Sequence, residues 1–422
     1  MRFLYALTWL FATPLAILRL AWRARRQPGY LAHLGERFGR YRDAPRAPRI
    51  WIHAVSVGET RAAALLVDAL ARRFPAHRIL LTHMTPTGRE TGAALFGDRV
   101  ERAWLPYDLG FAVRRFLAHF RPEFGVLLET EVWPRLLDEA ARVRIPVVLA
   151  NARLSERSAR RYARAPGLAR WAFGNLAGVA AQTEADARRL EALGAPAPAV
   201  LGNVKFDVEM PRAMLDLGAR LRLRIEGTRA VWVAGSTREG EEALLLDALK
   251  ALAPEKRALL VIVPRHPQRF DEVAEAARLR GFGVARRSDE RAIGSDVAVV
   301  VGDSMGEMLA YYAAADVVII GGSLLAYGAQ NLIEAAAAAR PVIVGPSTYN
   351  FEEAAREAIA AGAAVRVGSA AQALDEAARL SADAAARREM GEKGRAFVAA
   401  HRGAVERVAA WIEATVKRTA TR

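Results

Sequence analysis

Cysteine is absent from this chain of 422 residues. Without thiols, no disulfide framework can brace the fold and no thiolate metal site can form. Two phosphate-binding signatures are also missing, because no G-x-G-x-x-G opens the first strand–helix unit and no G-x-x-x-x-G-K-[ST] occurs. The first absence argues against a dinucleotide, and the second excludes ATP hydrolysis by a P-loop. We therefore expect no cofactor.

Acidic residues are the scarcer charged class, with 46 Asp and Glu against 61 Lys and Arg, for a net charge of +15. Nearly all of this excess lies in residues 1–210, whereas residues 211–422 are almost balanced. The first half should therefore meet an anionic partner, such as a phosphorylated substrate or an acidic bilayer surface. Nucleic acid is not expected as a partner, because the chain has no RNA- or DNA-binding signature.

Residues 1–22 are almost wholly apolar and long enough to span a bilayer. Basic residues follow from Arg19 onward, which by the positive-inside rule places the body of the protein in the cytoplasm. A cleaved signal peptide is disfavoured, because the charges lie on the wrong side of the apolar run. Pro14 and Arg19 interrupt the run, so a helix lying in the plane of the membrane is an alternative to a spanning one. Either form predicts an anchor in the inner (cytoplasmic) membrane, with membrane lipids as partners.

Apolar, β-branched runs alternate with Ala-, Arg- and Leu-rich stretches, which predicts parallel sheets covered by helices on both faces. The alternation restarts after residues 208–228. We therefore predict two doubly wound α/β domains facing a cleft, over residues 23–210 and 211–422, with a C-terminal helix near 385–418 that crosses back to the first. The predicted strands are Arg49–Val55, Arg78–His83, Phe124–Leu128, Pro146–Ala150, Val179–Gln182, Ala230–Ala234, Ala258–Val263, Val297–Val301, Val317–Ile320, Val342–Val344 and Ala364–Val367.

Charged residues follow the strands of the first half, where ligands of such sheets bind. Glu59 stands near an expected helix start and could act as a general base, although Ser56 and Glu59 also fit the S-x-x-E capping box. Glu129 and Glu131 directly follow a buried strand. They could bind a metal or position a hydroxyl, or they could be ordinary helix-start acids. Lys205 is the one lysine of the first half, and its place after a glycine suits a charge that faces a cleft.

Arginine is concentrated in residues 151–170, which carry six of them. Such a run could grip lipid phosphates or the carboxylate of a sugar acid. For any single arginine, a solvated helix face is the simpler interpretation.

Glycine-rich turns follow several strands of the second half, at Gly302–Met308, Gly321–Ser323 and Gly345–Phe351. Glycines allow backbone amides to approach a phosphate at a helix start. Ser304 and Glu307 form a second possible capping box, and Asn331 is a natural N-cap. Together the turns predict a nucleotide site.

This set of motifs closely resembles the 3-deoxy-D-manno-octulosonic acid (Kdo) transferase family of Gram-negative bacteria. The matching stretches run through the whole chain in order. They are Trp51–Arg61 (WIHAVSVGETR), Glu129–Pro134 (ETEVWP), Asn151–Ser158 (NARLSERS), Gly202–Asp207 (GNVKFD), Pro264–Phe270 (PRHPQRF), Gly302–Met308 (GDSMGEM) and Gly321–Phe351, which contains GGSL, N-x-x-E and GPSTYNF.

The resemblance implies a GT-B fold and an inverting transfer of Kdo from CMP-Kdo to a tetraacylated lipid A precursor in lipopolysaccharide biosynthesis. It implies that Glu59 is the general base and that Glu131 and Lys205 stabilise the transition state. No metal ion is implied, so helix starts and basic side chains must offset the charge of the leaving nucleotide. The implied CMP contacts are Pro264, Arg265, Met305, Gly306, Glu307, Asn331, Leu332, Ile333 and Glu334.

One departure from the family pattern lies beside these contacts. Many relatives have G-G-H-N-P where this chain has Gly328-Ala329-Gln330-Asn331-Leu332. Three other functions compete with the assignment. A GT-B enzyme with a UDP-sugar donor lacks the GDSMGEM and N-x-x-E pair. A sugar-nucleotide epimerase has no need of residues 1–22, and a membrane-tethered scaffold has no need of Glu59, Glu131 and Lys205 together.

Overall fold

A computed structural model describes residues 2–25, 27–42 and 47–420. Contacts divide the chain into two compact units, one formed by residues 1–207 with 403–422 and the other by residues 208–402. Each unit contains one seven-stranded sheet in which every described strand pairing is parallel. The predicted doubly wound α/β class is confirmed.

The sheet of the first unit has the strand order β3-β2-β1-β4-β5-β6-β7. Its strands are β1 (Arg49–His53), β2 (Arg78–His83), β3 (Val100–Trp104), β4 (Phe124–Leu128), β5 (Val147–Ala152), β6 (Gly178–Ala181) and β7 (Ala199–Val200). Its helices are α1 (Arg2–Ala24), α2 (Val57–Arg73), α3 (Pro86–Phe96), α4 (Gly110–Phe120), α5 (Pro134–Arg142), α6 (Glu156–Ala163), α7 (Pro166–Phe173), α8 (Glu184–Ala192) and, after the second unit, α17 (Ala404–Ala420).

Both faces of this sheet are covered, which explains why its central strands are continuous apolar runs. On one face, Ile50 and Ile52 of β1 share a core with Leu66 of α2 and with Val408 and Ile412 of α17. On the other face, Trp51 of β1 packs in a second core with α4, α5 and α7. In register, Ile52 of β1 pairs with Leu81 of β2 and Val126 of β4. The ends of β1 and β4, where Glu59 and Glu131 follow, therefore lie side by side.

The sheet of the second unit has the order β10-β11-β9-β8-β12-β13-β14. Its strands are β8 (Val231–Thr237), β9 (Leu259–Pro264), β10 (Gly283–Arg286), β11 (Val297–Val301), β12 (Val317–Ile320), β13 (Val342–Val344) and β14 (Ala364–Arg366). Its helices are α9 (Arg212–Leu223), α10 (Glu241–Ala251), α11 (Phe270–Leu279), α12 (Met308–Ala314), α13 (Ile333–Ala337), α14 (Glu352–Ala360), α15 (Ala370–Ala382) and α16 (Ala384–Ala400).

The C-terminal stretch, predicted as one helix near 385–418, consists of two helices. α16 belongs to the second unit and α17 to the first. Between them Gly403 has φ +87°, a left-handed conformation that favours glycine. The carboxylate of Asp207 accepts hydrogen bonds from the N–H groups of Gly403 and Val405, so it fixes the start of α17.

Candidate active site

Glu59 lies in the first turn of α2, directly after β1. Its Oε2 accepts a hydrogen bond from the Val55 N–H at 2.8 Å, and its Oε1 accepts one from the Ser56 hydroxyl at 3.1 Å. Ser56 is the N-cap residue, but its side chain makes no capping hydrogen bond to the helix. The capping box that the spacing allowed is therefore not formed, and the serine hydroxyl holds the carboxylate instead.

The surroundings of Glu59 favour its neutral form. Burial, and after it the negative charges of Glu129 and Glu131, raise the pKa of Glu59 from 4.5 to about 7. The hydrogen bonds from Val55 and Ser56 oppose this rise, because they stabilise the carboxylate. A carboxyl group with a pKa near 7 can accept a proton in one step and lose it in the next.

Glu129 directly follows β4 and is 6 % exposed, with φ +57°. Its Oε1 lies 2.6 Å from the Lys205 Nζ, and its Oε2 lies 3.2 Å from the Arg153 Nε. Burial alone would raise the pKa of Glu129, but the charges of Lys205 and Arg153 outweigh it and lower that pKa. The ammonium of Lys205 is thus held in place by the buried carboxylate of Glu129, a pairing that the sequence did not predict.

Glu131 lies two residues further on, in the turn before α5. Its Oε2 accepts a hydrogen bond from the Trp133 indole N–H at 3.1 Å. Burial, and to a smaller extent the charge of Glu129, raise the pKa of Glu131. Glu59, Glu129 and Glu131 therefore influence one another electrostatically. Within the described ranges, no group of three or more His, Asp or Glu residues is placed to hold a metal ion.

Asn151 connects the NARL and GNVK motifs and was not predicted as a site residue. It is buried, has φ +51°, and accepts a hydrogen bond from the Val204 N–H through Oδ1 at 3.1 Å. The Gln182 side chain binds its carbonyl oxygen at 2.9 Å. Asn151 thus fixes the backbone immediately before Lys205. Asparagine tolerates the left-handed conformation better than most residues, and this preference is the only local signal that the sequence carried.

The arginine-rich stretch, residues 151–170, runs from the end of β5 through α6 into α7. Arg157, Arg160, Arg161 and Arg164 are exposed. Arg160 pairs with Glu156 at 2.8 Å, one turn earlier on the helix. The remaining guanidinium groups present a positive surface on the same unit as Glu59.

In the second unit, a cluster of basic residues surrounds the end of β9. Arg238 contacts the His266 Nε2 at 3.3 Å, and its guanidinium lies 4.7 Å from the centre of the Tyr327 ring. Burial, and then the charges of Arg238, Arg265 and Arg269, lower the pKa of His266. This cluster contains the predicted contact Arg265 and can attract an anion with neutral His266 as an additional donor.

The GDSMGEM motif ends at the start of α12, which begins at Met308. Met305 and Gly306 are exposed, and Gly306 has φ +84° with open space where a Cβ would lie. Glu307 pairs with Arg287 at 3.2 Å and accepts a hydrogen bond from Ser304 at 2.7 Å. Ser304 therefore binds the Glu307 carboxylate and does not cap the helix. Ser56 behaves in the same way, because it binds the Glu59 carboxylate and does not cap α2.

Asn331 precedes α13 and organises its first turn. Its Oδ1 accepts a hydrogen bond from the Ile333 N–H at 3.1 Å, and its amide donates one to Glu334 at 3.0 Å. The helix begins at Ile333, so Leu332 and not Asn331 is its N-cap residue. The side chains of Leu332 and Ile333 are fully buried. Neither side chain is therefore placed to meet a ligand.

Glu241, a buried carboxylate that no sequence motif indicated, connects two loops of the same sheet. Glu241 is 0 % exposed and accepts hydrogen bonds from the N–H groups of Arg238, Gly322 and Leu324 at 2.6–2.9 Å. Its role depends on the pairing of β8 with β12, which are far apart in sequence. The residue holds the Arg238 loop against the GGSL turn.

The fold recurs in solved structures of low sequence identity. A UDP-GlcNAc 2-epimerase from Neisseria meningitidis superposes with a TM-score of 0.59 at 15 % identity, covering 88 % of this chain and 100 % of its own. A glycosyltransferase from Rickettsia africae gives 0.58 at 12 % identity, covering 89 % and 99 %. A model of the group 1 glycosyl transferases matches residues 243–397. Together these results confirm the predicted GT-B fold.

The sequence itself identifies the family within this class. A model described as 3-deoxy-D-manno-octulosonic-acid transferase (kdotransferase) matches residues 32–208. A 3-deoxy-D-manno-octulosonic acid transferase of Bordetella pertussis is 46 % identical over 421 residues, 96 % of this chain and 97 % of the relative. One of Haemophilus influenzae is 38 % identical over 360 residues, 84 % of each chain. The chain belongs to the 3-deoxy-D-manno-octulosonic acid transferase family.

Proposed function

We propose that this enzyme transfers Kdo with inversion from CMP-Kdo to the tetraacylated lipid A precursor, and that Glu59 is the general base. The observation that carries the proposal is the environment of Glu59. Its carboxylate is oriented by Val55 and Ser56, and its pKa is raised to about 7 by burial and by neighbouring carboxylates. At neutral pH such a carboxyl group is present in both its charged and its neutral form, so it can accept a proton from a hydroxyl and release it afterwards.

The proposed step is a direct displacement. The acceptor hydroxyl gives its proton to the Glu59 carboxylate while its oxygen forms a bond to the anomeric carbon of Kdo. The bond between that carbon and the phosphate oxygen breaks, and CMP leaves with the electron pair. Attack opposite to the leaving group inverts the configuration. The proton then leaves Glu59 for solvent, which restores the base.

Glu131 and Lys205 act on the charges that develop during this step. We assign the negative charge of Glu131 to the partly cationic sugar ring, and the ammonium of Lys205 to the anionic groups of the sugar acid or its leaving phosphate. The pair with Glu129 at 2.6 Å supports this role, because it fixes the Lys205 ammonium before substrate binds. A group fixed in advance needs no reorganisation at the moment of reaction.

We assign the donor site to the second unit, with Pro264, Arg265, Met305, Gly306, Glu307, Asn331, Leu332, Ile333 and Glu334 as CMP contacts. The basic cluster of Arg238, Arg265, His266 and Arg269 supports a phosphate-bearing ligand. α12 and α13 are only 7 and 5 residues long, so their dipoles are small. The arginines and the open backbone at Gly306 must therefore offset most of the charge on the phosphate.

We place the enzyme on the cytoplasmic side of the inner membrane. Residues Tyr5–Ala24 have the length and hydropathy of a membrane helix. The exposed arginines of α6 add a surface that suits lipid phosphates. Membrane lipids and a lipid acceptor are thus the partners that we propose.

The test is transfer from CMP-Kdo to the tetraacylated lipid A precursor, with products followed by mass. We expect Glu59→Gln to lower the rate by about 10²-fold or more. The control is Glu184→Gln, which removes an exposed glutamate from the first turn of α8. Turnover with a UDP-sugar but none with CMP-Kdo would overturn the donor assignment. Full activity of Glu59→Gln would keep the enzyme and remove Glu59 as its base.

A further inference from the structure

α1 contacts the rest of the first unit through one stripe of side chains. Its inward stripe recurs every three or four residues and is partly or fully buried at Tyr5, Trp9, Ala12, Thr13, Ala16 and Leu20. The other side of the helix is exposed and apolar, at Phe3, Leu7, Leu10, Phe11, Leu15, Leu18 and Trp22. The helix therefore has one face for the protein and one for a hydrophobic surrounding.

The inward stripe makes specific contacts near its N-terminal end. The Tyr5 hydroxyl donates a hydrogen bond to the Asp108 Oδ2 at 2.6 Å, and the Tyr5 ring meets the Trp171 ring edge to face at 5.4 Å. One turn later, the ring of Trp9 lies 5.9 Å from that of Tyr107 and 6.3 Å from that of Trp133. A polar hydrogen bond and three aromatic contacts fix this part of the helix.

Asp108 connects Tyr5 to the start of α5. It is 3 % exposed and accepts hydrogen bonds from the N–H groups of Arg135 at 2.9 Å and Leu136 at 2.7 Å. These N–H groups belong to the first turn of α5, which has no partner within the helix. Asp108 therefore caps α5 from a distant loop while it is itself held by Tyr5.

Trp133 contacts both Trp9 and Glu131. Trp133 directly precedes α5, and its indole N–H binds the Glu131 carboxylate at 3.1 Å. The contacts from Tyr5 and Trp9 thus meet in the short segment 131–136. We propose that α1 is an in-plane helix docked on the first unit, and that Tyr5 and Trp9 are positioning residues for Glu131. This inference rests on the proposed role of Glu131 in transfer.

The contacts of α1 with the first unit also distinguish an in-plane helix from one that spans the membrane. Tyr5 and Leu20 are 15 residues apart on the helix, which is about 22 Å. A helix that left the domain to cross the bilayer would carry Tyr5 and Trp9 away from Asp108 and Trp133. A helix in the interface keeps both contacts and leaves its exposed face to the lipid.

The first experiment measures transfer kinetics with the full-length protein, using CMP-Kdo and the lipid A precursor in detergent micelles. We expect Tyr5→Phe and Trp9→Ala to lower kcat by about tenfold while KM for the acceptor changes by less than about twofold. Trp9→Phe keeps an aromatic contact and should recover most of kcat. Leu10→Ala, on the exposed face, should raise the apparent KM for acceptor embedded in vesicles. Unchanged kcat in Tyr5→Phe and Trp9→Ala would overturn the positioning role.

A double-mutant cycle tests the route through Glu131. In a Glu131→Gln background, Trp9→Ala should lower kcat by less than about a factor of two, because the group that it positions has gone. Independent, multiplying effects would contradict the inference. Amide hydrogen exchange of residues 131–140 provides a second measurement that does not depend on enzymatic activity. We expect Tyr5→Phe to make exchange in this segment faster. No transfer by the wild type would refute the proposed function alone, whereas unchanged exchange would refute the α1 inference alone.

The absence of cysteine from the chain gives a clean test of the membrane geometry. Single variants Arg2→Cys and Arg25→Cys replace basic residues at the two ends of the apolar stretch. In sealed vesicles with the body of the protein outside, a helix in the interface places both thiols within reach of a membrane-impermeant maleimide added outside. Labelling of Arg25→Cys alone, with Arg2→Cys reached only after the vesicles are opened, would show a spanning helix and overturn the docked geometry.

Discussion

The ionisation of Glu59 provides the most direct test of the mechanism, since only its carboxylate form can accept a proton. Burial and the charge of Glu129 raise its pKa from 4.5 to about 7. We expect kcat/KM to rise about tenfold per pH unit up to pH 7 and then to level off. An ordinary glutamate would give a plateau that begins more than two units lower.

Two substitutions should move this transition in opposite directions. Ser56→Ala removes a hydrogen bond that stabilises the carboxylate, which is worth about 1 kcal/mol and should raise the pKa by somewhat less than one unit. Since Ser56 makes no capping hydrogen bond, the change costs α2 little. Glu129→Gln removes the neighbouring negative charge, and we expect it to lower the pKa of Glu59 by about one unit.

The assay is the initial rate of CMP release at low donor concentration between pH 5.5 and 9, with thermal unfolding checked at each pH. The opposite shifts of the two variants distinguish titration of Glu59 from titration of substrate phosphates, which neither variant alters. A wild-type profile that is flat between pH 5.5 and 8 would refute the argument. So would a displacement of both variants in the same direction.

Three further predictions concern stability and charge. Lys205→Met should lower kcat by about 10²-fold or more. It should also lower the free energy of unfolding, measured in urea, by about 3 kcal/mol, because the buried Glu129 is left with Arg153 as its one basic partner. Adding Glu129→Gln to this variant should restore stability but not activity. Ala329 has φ +65°, so Ala329→Gly should raise the melting temperature of the second unit by about 2–4 °C in calorimetry, and an unchanged value would contradict the strain. Asp207→Ala removes both hydrogen bonds at the start of α17 and should lower the free energy of unfolding by about 1–2 kcal/mol. Hydrogen exchange should become faster in residues 403–406 alone. Faster exchange throughout α17 would contradict a capping role.

The sequence predicted the central strands well but missed most of the edges. Strands β4 and β12 have no polar side chain and β1 is buried throughout, because both faces of the sheet are covered. The unpredicted strands β3, β7 and β10 all lie at or near an edge, where one side of the strand has no neighbour. There a sequence such as that of β3, with Glu101 and Arg102 at its centre, remains compatible with a strand.

The candidate site was predicted in its parts but not in its pairing. Glu59, Glu131 and Lys205 were identifiable because each follows a strand or a glycine turn. The partnership of Lys205 with Glu129 depends on residues that are 76 positions apart by number and on the bend at Asn151, which no local pattern encodes. Spacing also misled at both S-x-x-E sequences, since Ser56 and Ser304 bind carboxylates and cap no helix.

The return of α17 to the first unit has a consequence for how the protein is made. Val408 and Ile412 complete the same core as Ile50 and Ile52, although almost the whole chain separates them. On a ribosome, the first unit must wait with part of one face of its sheet uncovered until residues 403–420 emerge. The second unit, residues 208–402, is contiguous and can fold before that moment. A protein truncated after residue 402 should therefore depend on chaperones or aggregate, even though every candidate catalytic residue has already been synthesised.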